Sequence, residues 1–492
     1  MAESIVRHHG YKTGLFTSPH LVTVRERIKI NGKAISEEMF VKYFWECWDK
    51  LQATRSERWP LMPGWFRYLT LLAFKVFQEE AVECAVVEVG MGGRGDSTNI
   101  LTVPAACGIT LLDYDHTEVL GNTLTEIAGQ KAGVFKKGVP AVTVPQTEEA
   151  LRTLREHALS SQTPLYLADS TLETFTSMTP SDIVHGDLSL GLTATFLKTN
   201  AVLAVSLTEM WLSKWHPERN TQTIPKHVVT PLSDAIAKYS PHALHPSTVD
   251  GLRQYHWPGR AQIHQIPSSP IRLFLDGAHT QESVRACVEW FQQHTDSSRN
   301  TSHAILFNCN KPRDPKVLLT PIVAAIAMGT LKADLLYFTM SQVAPEFRKD
   351  PSNDIAYSAH TQTTWQHEMA GMWAELVSRV NGSSNNNQAN ADPFEADIGH
   401  AVAIPSSPSH VDVSYLDQLG KALASSPSSS LHSGKTIVWP QVKIVATVNE
   451  AMKQIEDWVE SVELGPKRVD VLATGSLYLV GAMLEYLDYP TE

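Results

Sequence analysis

Cysteine is scarce in this chain of 492 residues, and the five present (Cys47, Cys84, Cys107, Cys287, Cys309) stand apart with no CxxC pair. That excludes a disulfide-framed secreted domain and a structural zinc site, and it fits a reducing compartment. No uninterrupted apolar run reaches the ~18 residues that a membrane-crossing helix needs, so no membrane span is expected. No signal or transit peptide is recognisable. Positive charge is in deficit: the formal net charge is −11. This argues against nucleic acid as the main partner while leaving room for local basic pockets. No repeat of solenoid length occurs. What is plentiful is apolar material, 43% of residues, in a chain too long for one core.

The chain is organised around Val82–Asn99, which opens as a short Val-rich run and ends in four glycines, Gly90, Gly92, Gly93 and Gly95. The run reads as a strand buried on both faces of a parallel sheet. The glycines allow close backbone approach at the carboxyl end of that strand, where open α/β sheets bind ligands. Their spacing is not that of a dinucleotide fingerprint. Glu88 interrupts the run just before the edge. A carboxylate there needs a partner, a proton or a metal. Pairing with Arg94 or with a neighbouring amide is the plain alternative to a metal.

Upstream, residues 1–10 read as a helix stopped by Gly10, and 11–21 as a short strand running into a loop fixed by Pro19. Residues 22–30 alternate apolar and charged, which predicts a half-exposed strand with Arg25, Arg27 and Lys29 on one side. Those bases either form a solvated face or hold an anion. Helices are expected over 36–52, capped by Ser36, and over 66–80. Downstream, 105–112 reads as a second buried strand ending in Asp113-Tyr114-Asp115-His116, and Thr123-Leu124-Thr125-Glu126 as a capping box. Lys131 falls on the apolar face of the helix that follows, where it snorkels, neutralises or carries a modification. A short strand over 139–144 and a strong apolar helix over 200–212 complete this half.

The domain joint is placed at Trp257-Pro258-Gly259-Arg260. Strands at 271–275, 304–307 and 469–473, the first and last followed by a turn and a helix, predict a second parallel α/β domain. Residues 381–410 and 425–433, rich in Asn, Ser and Pro, read as disordered insertions.

Taken together and in order, Lys12-Thr13-Gly14, Thr17-Ser18-Pro19-His20-Leu21, Glu88-Val89-Gly90 with Gly92-Gly93-Arg94, Asp96-Ser97-Thr98-Asn99, Asp115-His116, Gln130-Lys131-Ala132-Gly133, Trp257-Pro258-Gly259-Arg260, Asp276-Gly277-Ala278-His279-Thr280, Arg313-Asp314-Pro315 and Thr474-Gly475-Ser476-Leu477 resemble the folylpolyglutamate synthase family of Mur-ligase-like amide ligases, in its eukaryotic spelling. The resemblance implies an α/β fold of two domains. Residues 1–254 would be a P-loop-type ATPase and folate-binding domain, and 255–492 a Rossmann-like ligase domain. It implies ATP-dependent addition of L-glutamate to tetrahydrofolate (poly)glutamates through an acyl phosphate, in a cytoplasmic monomer, with a mitochondrial form also compatible. ATP and Mg²⁺ are the implied cofactors, and a monovalent cation such as K⁺ is allowed. By resemblance Ser18, Glu88 and His116 ligate magnesium, and Lys131 matches a lysine that relatives carbamylate. Arg260 and Asp276 match ATP contacts, His279 lines the same cleft, and Asn200 stands where the family has a nucleotide-side asparagine.

Two departures accompany the resemblance. The family's glycine-rich phosphate loop, whose amides and lysine hold the β- and γ-phosphates, precedes the first helix, and this sequence opens inside that helix. Nucleotide binding and turnover are therefore expected to suffer, and the remaining strands to carry an exposed edge. Ser433-Gly434-Lys435-Thr436 is no substitute, because an extended segment follows it. Second, Leu197 occupies the place of the family's glutamine three residues before Asn200. The alternatives are a non-catalytic folate- or partner-binding paralogue and a dihydrofolate synthase.

Overall fold

The computed structural model describes residues 1–58, 60–168, 194–216, 237–239, 244–295, 301–311, 313–342, 363–381, 398–399, 436–461 and 468–490. Both predicted insertions lie almost wholly outside these residues, as does Ser433-Gly434-Lys435. The chain divides into two compact units, Met1–His256 and Trp257–Thr491.

The first unit holds two four-stranded sheets. One comprises β1 (Thr13–Phe16), β2 (Ile28–Ile30), β3 (Lys33–Ala34) and β4 (Cys84–Val87), in the order β3-β2-β1-β4. β1 and β4 run parallel, with Thr13 opposite Cys84 and Phe16 opposite Val87. Helices α2 (Glu37–Ala53) and α3 (Trp65–Glu79) pack Tyr43, Leu69, Leu72 and Val76 against Phe16 and Ile28. The Ser36 hydroxyl caps α2 by accepting the Met39 N–H at 3.2 Å. The second sheet is wholly parallel: β5 (Cys107–Ile109), β6 (Ala141–Thr143), β7 (Leu165–Ala168) and β8 (Ala237–Tyr239), in that order. After α4 (Thr117–Leu120), helices α5 (Leu124–Lys131) and α6 (Glu148–Ser161) share a core with this sheet through Ala128, Leu154 and Leu165. Helices α1 (Ala2–His8) and α7 (Thr195–Trp215) meet through Val6, Trp211 and Leu212 over Cys84 of β4. The short α8 (Pro246–Arg253) closes the unit.

Three sequence expectations need correction here. The buried strand expected over 105–112 is only Cys107–Ile109, with Gly108 exposed. The run over 82–89 is not buried on both faces: Cys84 is buried, but Ala85 and Glu88 are exposed. The cause is pairing, since among the described residues β4 pairs only with β1 and β5 only with β6. Residues 22–30 are not one strand either. Val24–Arg27 is a 3-10 turn, because the Glu26 carboxylate accepts the N–H groups of Leu21, Val22 and Thr23 and closes a capping box with Thr23. Local capping overrides the alternation.

The second unit is built on a six-stranded sheet. Its strands are β9 (Gln262–Gln265), β10 (Ile271–Leu275), β11 (Thr301–Phe307), β12 (Leu335–Thr339), β13 (Gln441–Val445) and β14 (Arg468–Thr474), in the order β13-β12-β11-β14-β10-β9. All pairings are parallel except β9 with β10. Helices α9 (Gln281–His294), α10 (Pro315–Ala327), α11 (Thr364–Val380), α12 (Val448–Ser461) and α13 (Leu477–Tyr486) complete it.

His303, on β11, is 2% exposed, and neither ring nitrogen finds a hydrogen-bond partner among the described residues. Burial holds its pKa below the usual 6.5, against the opposing pull of Asp470 and Asp334. The unfolded chain therefore binds the proton more readily than the folded one. This stability component is complete above pH 6.5 and is lost as pH falls through the lowered folded value. We expect His303→Phe to flatten the acid side of the stability curve by up to ~1.4 kcal/mol per pH unit, read from urea midpoints on either side of neutrality.

Candidate functional site

In the first unit the carboxyl ends of β1 and β4 bring together Ser18 and Glu88. The Glu88 N–H extends the ladder to the Phe16 carbonyl at 2.9 Å, and the Ser18 N–H donates to Glu88 Oε2 at 2.8 Å. Glu88 is thus held by an amide. Arg94 lies elsewhere, donating from Nη2 to the Gly129 carbonyl at 3.3 Å. The Ser18–Pro19 peptide is cis.

The glycine run is clamped onto the end of α5. The Arg94 N–H donates to the Gln130 carbonyl at 2.9 Å, and Asn99 Nδ2 to the Gly133 carbonyl at 3.0 Å. Lys136 Nζ in turn donates to Asn99 Oδ1 at 2.7 Å. Asp96 braces the loop from within, accepting the Met91 and Thr98 N–H groups on its two oxygens. A Cβ on Gly93 would stand 2.8 Å from the Lys131 carbonyl oxygen, so this approach is open only to glycine.

Lys131 is half-buried at the end of α5. Burial lowers its pKa, with the nearby Asp115 pulling the other way. Asp115 Oδ2 also stands 3.6 Å from His116 Nε2. Asp115 thus links two of the predicted site residues, a role the sequence reading did not assign to it. His116 adopts a left-handed backbone with φ 52. The structure therefore assembles two local groups, Ser18 with Glu88, and His116 with Asp115 and Lys131. Asn200 is half-buried near the start of α7, and no described hydrogen bond ties it to either group.

A serine hydroxyl and a glutamate carboxylate are oxygen donors of the kind that Mg²⁺ takes, although the described contact joins Glu88 to the Ser18 N–H. Among the described residues no three His, Cys, Asp or Glu side chains gather in a metal-holding arrangement. The predicted set contains only two side chains of those kinds.

In the second unit, three chain segments converge at the carboxyl ends of β10, β11 and β14. The Asp276 N–H donates to the Ala473 carbonyl at 3.1 Å and the Asn308 N–H to the Thr474 carbonyl at 3.4 Å. Gly475, at φ 96, crosses between them, and a Cβ there would lie 2.4 Å from the Asn308 carbonyl oxygen. Asn308 is 4% exposed and its Oδ1 has no partner among the described residues, while its Nδ2 donates to Ser341 Oγ at 2.6 Å.

The Asp276 carboxylate, 4% exposed, is engaged by backbone on both oxygens. Oδ2 accepts the Ala261 N–H at 2.7 Å and Oδ1 the Ala278 N–H at 2.9 Å. The Gly277 N–H donates to the Gly259 carbonyl at 3.0 Å, and Gln262 Oε1 accepts the Gly259 N–H at 2.8 Å. The 257–262 loop is thereby stitched to the turn that follows β10. Arg260 Nη1 lies over that turn, 2.5 Å from where a Cβ of Gly277 would be. His279 holds its ring through an Nδ1 contact of 2.7 Å with the Gly277 carbonyl. Thr280 opens α9 by accepting the Ser283 N–H at 3.2 Å. Arg260, Asp276 and His279 thus lie on neighbouring segments around the turn that follows β10. Asn308 stands in the Leu306-Phe307-Asn308 stretch that also carries the family resemblance, whereas no role was assigned to Gln262 or Ser283; of those two, Ser283 had a readable signal, as the N3 position after a Thr cap.

No protein-family model matches the chain. It is 33% identical over 519 residues to a folylpolyglutamate synthase of Arabidopsis thaliana, an alignment covering 99% of this chain and 76% of that protein. It is 43% identical over 328 residues to the mitochondrial folylpolyglutamate synthase of Homo sapiens, covering 64% of this chain and 53% of that protein. The chain therefore spans about half the length of the human relative. Among solved structures it is similar to Mycobacterium tuberculosis folylpolyglutamate synthase complexed with ADP and AMPPCP. The TM-score is 0.63 at 19% identity, over 99% of this chain and 87% of that one.

Proposed function

Because the chain belongs to the folylpolyglutamate synthase family, we propose that it is an ATP-dependent ligase that joins L-glutamate to the terminal γ-carboxylate of a reduced folate (poly)glutamate. The observation that carries the reading is the Ser18–Glu88 contact at the carboxyl ends of two parallel strands, the place where open α/β sheets hold ligands. In this mechanism ATP phosphorylates the γ-carboxylate, and the amine of the incoming glutamate attacks the acyl phosphate. Inorganic phosphate leaves from the tetrahedral intermediate. Such transfers depend on alignment and charge neutralisation more than on a protein nucleophile. Ser18 and Glu88 would hold Mg²⁺, with His116 as a third donor by family likeness. The ion when bound supplies neutralisation of phosphate charge.

The chain's own residues do the rest. The clamp from Arg94 and Asn99 onto the end of α5 fixes Lys131, whose lowered pKa favours the neutral amine that carbamylation requires. In the second unit Arg260 offers a guanidinium to an anion, and His279 offers a ring fixed by its Nδ1 contact. No helix among the described residues is long and apolar enough to cross a membrane.

The test incubates the purified protein with tetrahydrofolate, radiolabelled glutamate and Mg-ATP. A parallel sample carries a relative's phosphate-loop segment fused at its start. The expected result is labelled folate formed in step with ADP. Glu88→Ala should lower turnover by at least ~100-fold, the scale for losing a transition-state electrostatic contact. Folate binding with no ATP hydrolysis in either form, unchanged by Glu88→Ala, would instead establish the binding-protein reading.

A further inference from the structure

We propose that helix α2 carries a self-complementary outer face through which two copies of this chain pair, antiparallel, about a two-fold axis beside Trp45. The pairing stands apart from the ligase reading, and it departs from the monomer that the family resemblance implies.

Helix α2 turns Tyr43 into the core of the first unit, with Met39, Phe40, Phe44 and Cys47 packed beside it. Its outward side carries Trp45, 54% exposed, and Val41, 47% exposed. The core behind the helix does not need an indole on that side, and large apolar side chains grouped at a surface mark an interaction site. The ring is nonetheless held in place. Its centroid lies 5.4 Å from that of Phe44 and 6.2 Å from that of Trp48, edge-on to both. A braced aromatic side chain suits an interface anchor, because it has little freedom left to lose on binding.

The residues around Trp45 decide which partner fits. Successive helical residues turn by about 100°, so Lys42 and Asp49 lie about 60° and 40° to one side of Trp45, and Val41 and Trp48 about 40° and 60° to the other. Along the axis Lys42 stands three residues before Trp45 and Asp49 four after it, while Val41 stands four before and Trp48 three after. An antiparallel copy centred on Trp45 therefore lays Lys42 against Asp49 of the second copy, and Val41 against Trp48 of the second copy. Two-fold symmetry makes each contact twice. Glu38 and Gln52, seven residues before and after Trp45, meet in the same way as carboxylate and amide. A parallel pairing would instead set Lys42 against Lys42 and Asp49 against Asp49.

Both charged residues are exposed. Among the described residues no hydrogen bond or ion pair engages Asp49, and Lys42 holds its ammonium 4.6 Å from the centre of the Tyr43 ring. A helix of 17 residues is only ~25 Å long, so the pair covers less than the ~1,200 Å² at which standard interfaces begin. The association is accordingly weak and reversible.

The experiment is sedimentation velocity on the full chain from low to high micromolar concentration. The sedimentation coefficient of the wild type is expected to rise with concentration. Trp45→Ser, Lys42→Glu and Asp49→Lys should each weaken association ~10-fold or more. Lys42→Glu and Asp49→Lys combined in one chain should restore it. Mixing the two single variants should do so as well, because the reversed position 42 of one copy then faces the reversed position 49 of the other. Equal urea midpoints across the set establish that the fold is untouched.

A wild type that stays monomeric at every concentration would overturn the proposal and leave the face to a different occupant. So would a dimer indifferent to both charge reversals, which would place the association elsewhere, such as the border of β4 or β5. Should a charge reversal fail to fold, Lys42→Gln or Asp49→Asn replaces it, and a dimer indifferent to these overturns the proposal equally.

Discussion

Gly133→Ala is expected to abolish the soluble protein. A Cβ at that position would stand 2.4 Å from both Cα and Cβ of Arg94 and 2.7 Å from the Arg94 nitrogen. These are mostly backbone atoms, and the Arg94 N–H is itself bonded to the Gln130 carbonyl. Neither side can yield by a rotamer change. Overpacking of this kind costs ~3 kcal/mol or more, at or above the upper end of the range for inserted methyl groups. It would also pry the glycine run from Lys131. Gly95→Ala is the matched control, because nothing lies within 4 Å of its Cβ position and its φ is not positive. It should shift the urea midpoint by no more than ~0.5 kcal/mol equivalent. A soluble, cooperatively unfolding Gly133→Ala protein of near wild-type stability would show that the clamp is not as tight as described.

The second large effect concerns the opposite end of the second unit's sheet. Asp470, on β14, is fully buried and accepts two bonds from Arg272 on the adjacent β10, from Nε at 2.9 Å and Nη2 at 2.8 Å. Arg272 Nη2 also donates to the His294 carbonyl at 2.7 Å, and the guanidinium lies 4.6 Å from the centre of the Phe274 ring. Asp470→Ala leaves a largely enclosed cation without its carboxylate. The expected loss is ~3 kcal/mol or more, since breaking one partner of a buried pair is far costlier than removing both. Asp470→Leu combined with Arg272→Met should regain most of it. Arg272→Lys should not, because an ammonium cannot reproduce the two-pronged contact. Chemical denaturation of the four proteins measures this. Equal stabilities for Asp470→Ala and the double variant would contradict it.

The sequence was most legible where period and capping agreed. Strand β10 falls at its expected limits, and Ser36 and Thr123 cap α2 and α5 where the pattern put them. Burial was less legible. Val82–Glu88 looks like a two-faced interior strand, yet exposure depends on which neighbours pair with it, and no local pattern encodes that. The 3-10 turn at Val24–Arg27 shows the reverse case, in which a single carboxylate three residues ahead outweighs alternation over nine residues. At the site, the family resemblance pointed to Arg260, Asp276 and His279. What it could not reveal is that the Asp276 carboxylate accepts backbone N–H groups on both oxygens, for which sequence offers no sign.

The two half-sheets of the first unit have a practical consequence. Along β4 and β5, rows of amide and carbonyl groups on one side find no partner among the described residues, and Ala85 and Gly108 beside them are exposed. Such borders behave like open zippers, and an extended apolar segment from any source can close one. Concentration, and not only temperature, would then govern how long a preparation stays clear. Adding a fitting strand would act as a solubiliser before it acted on anything else.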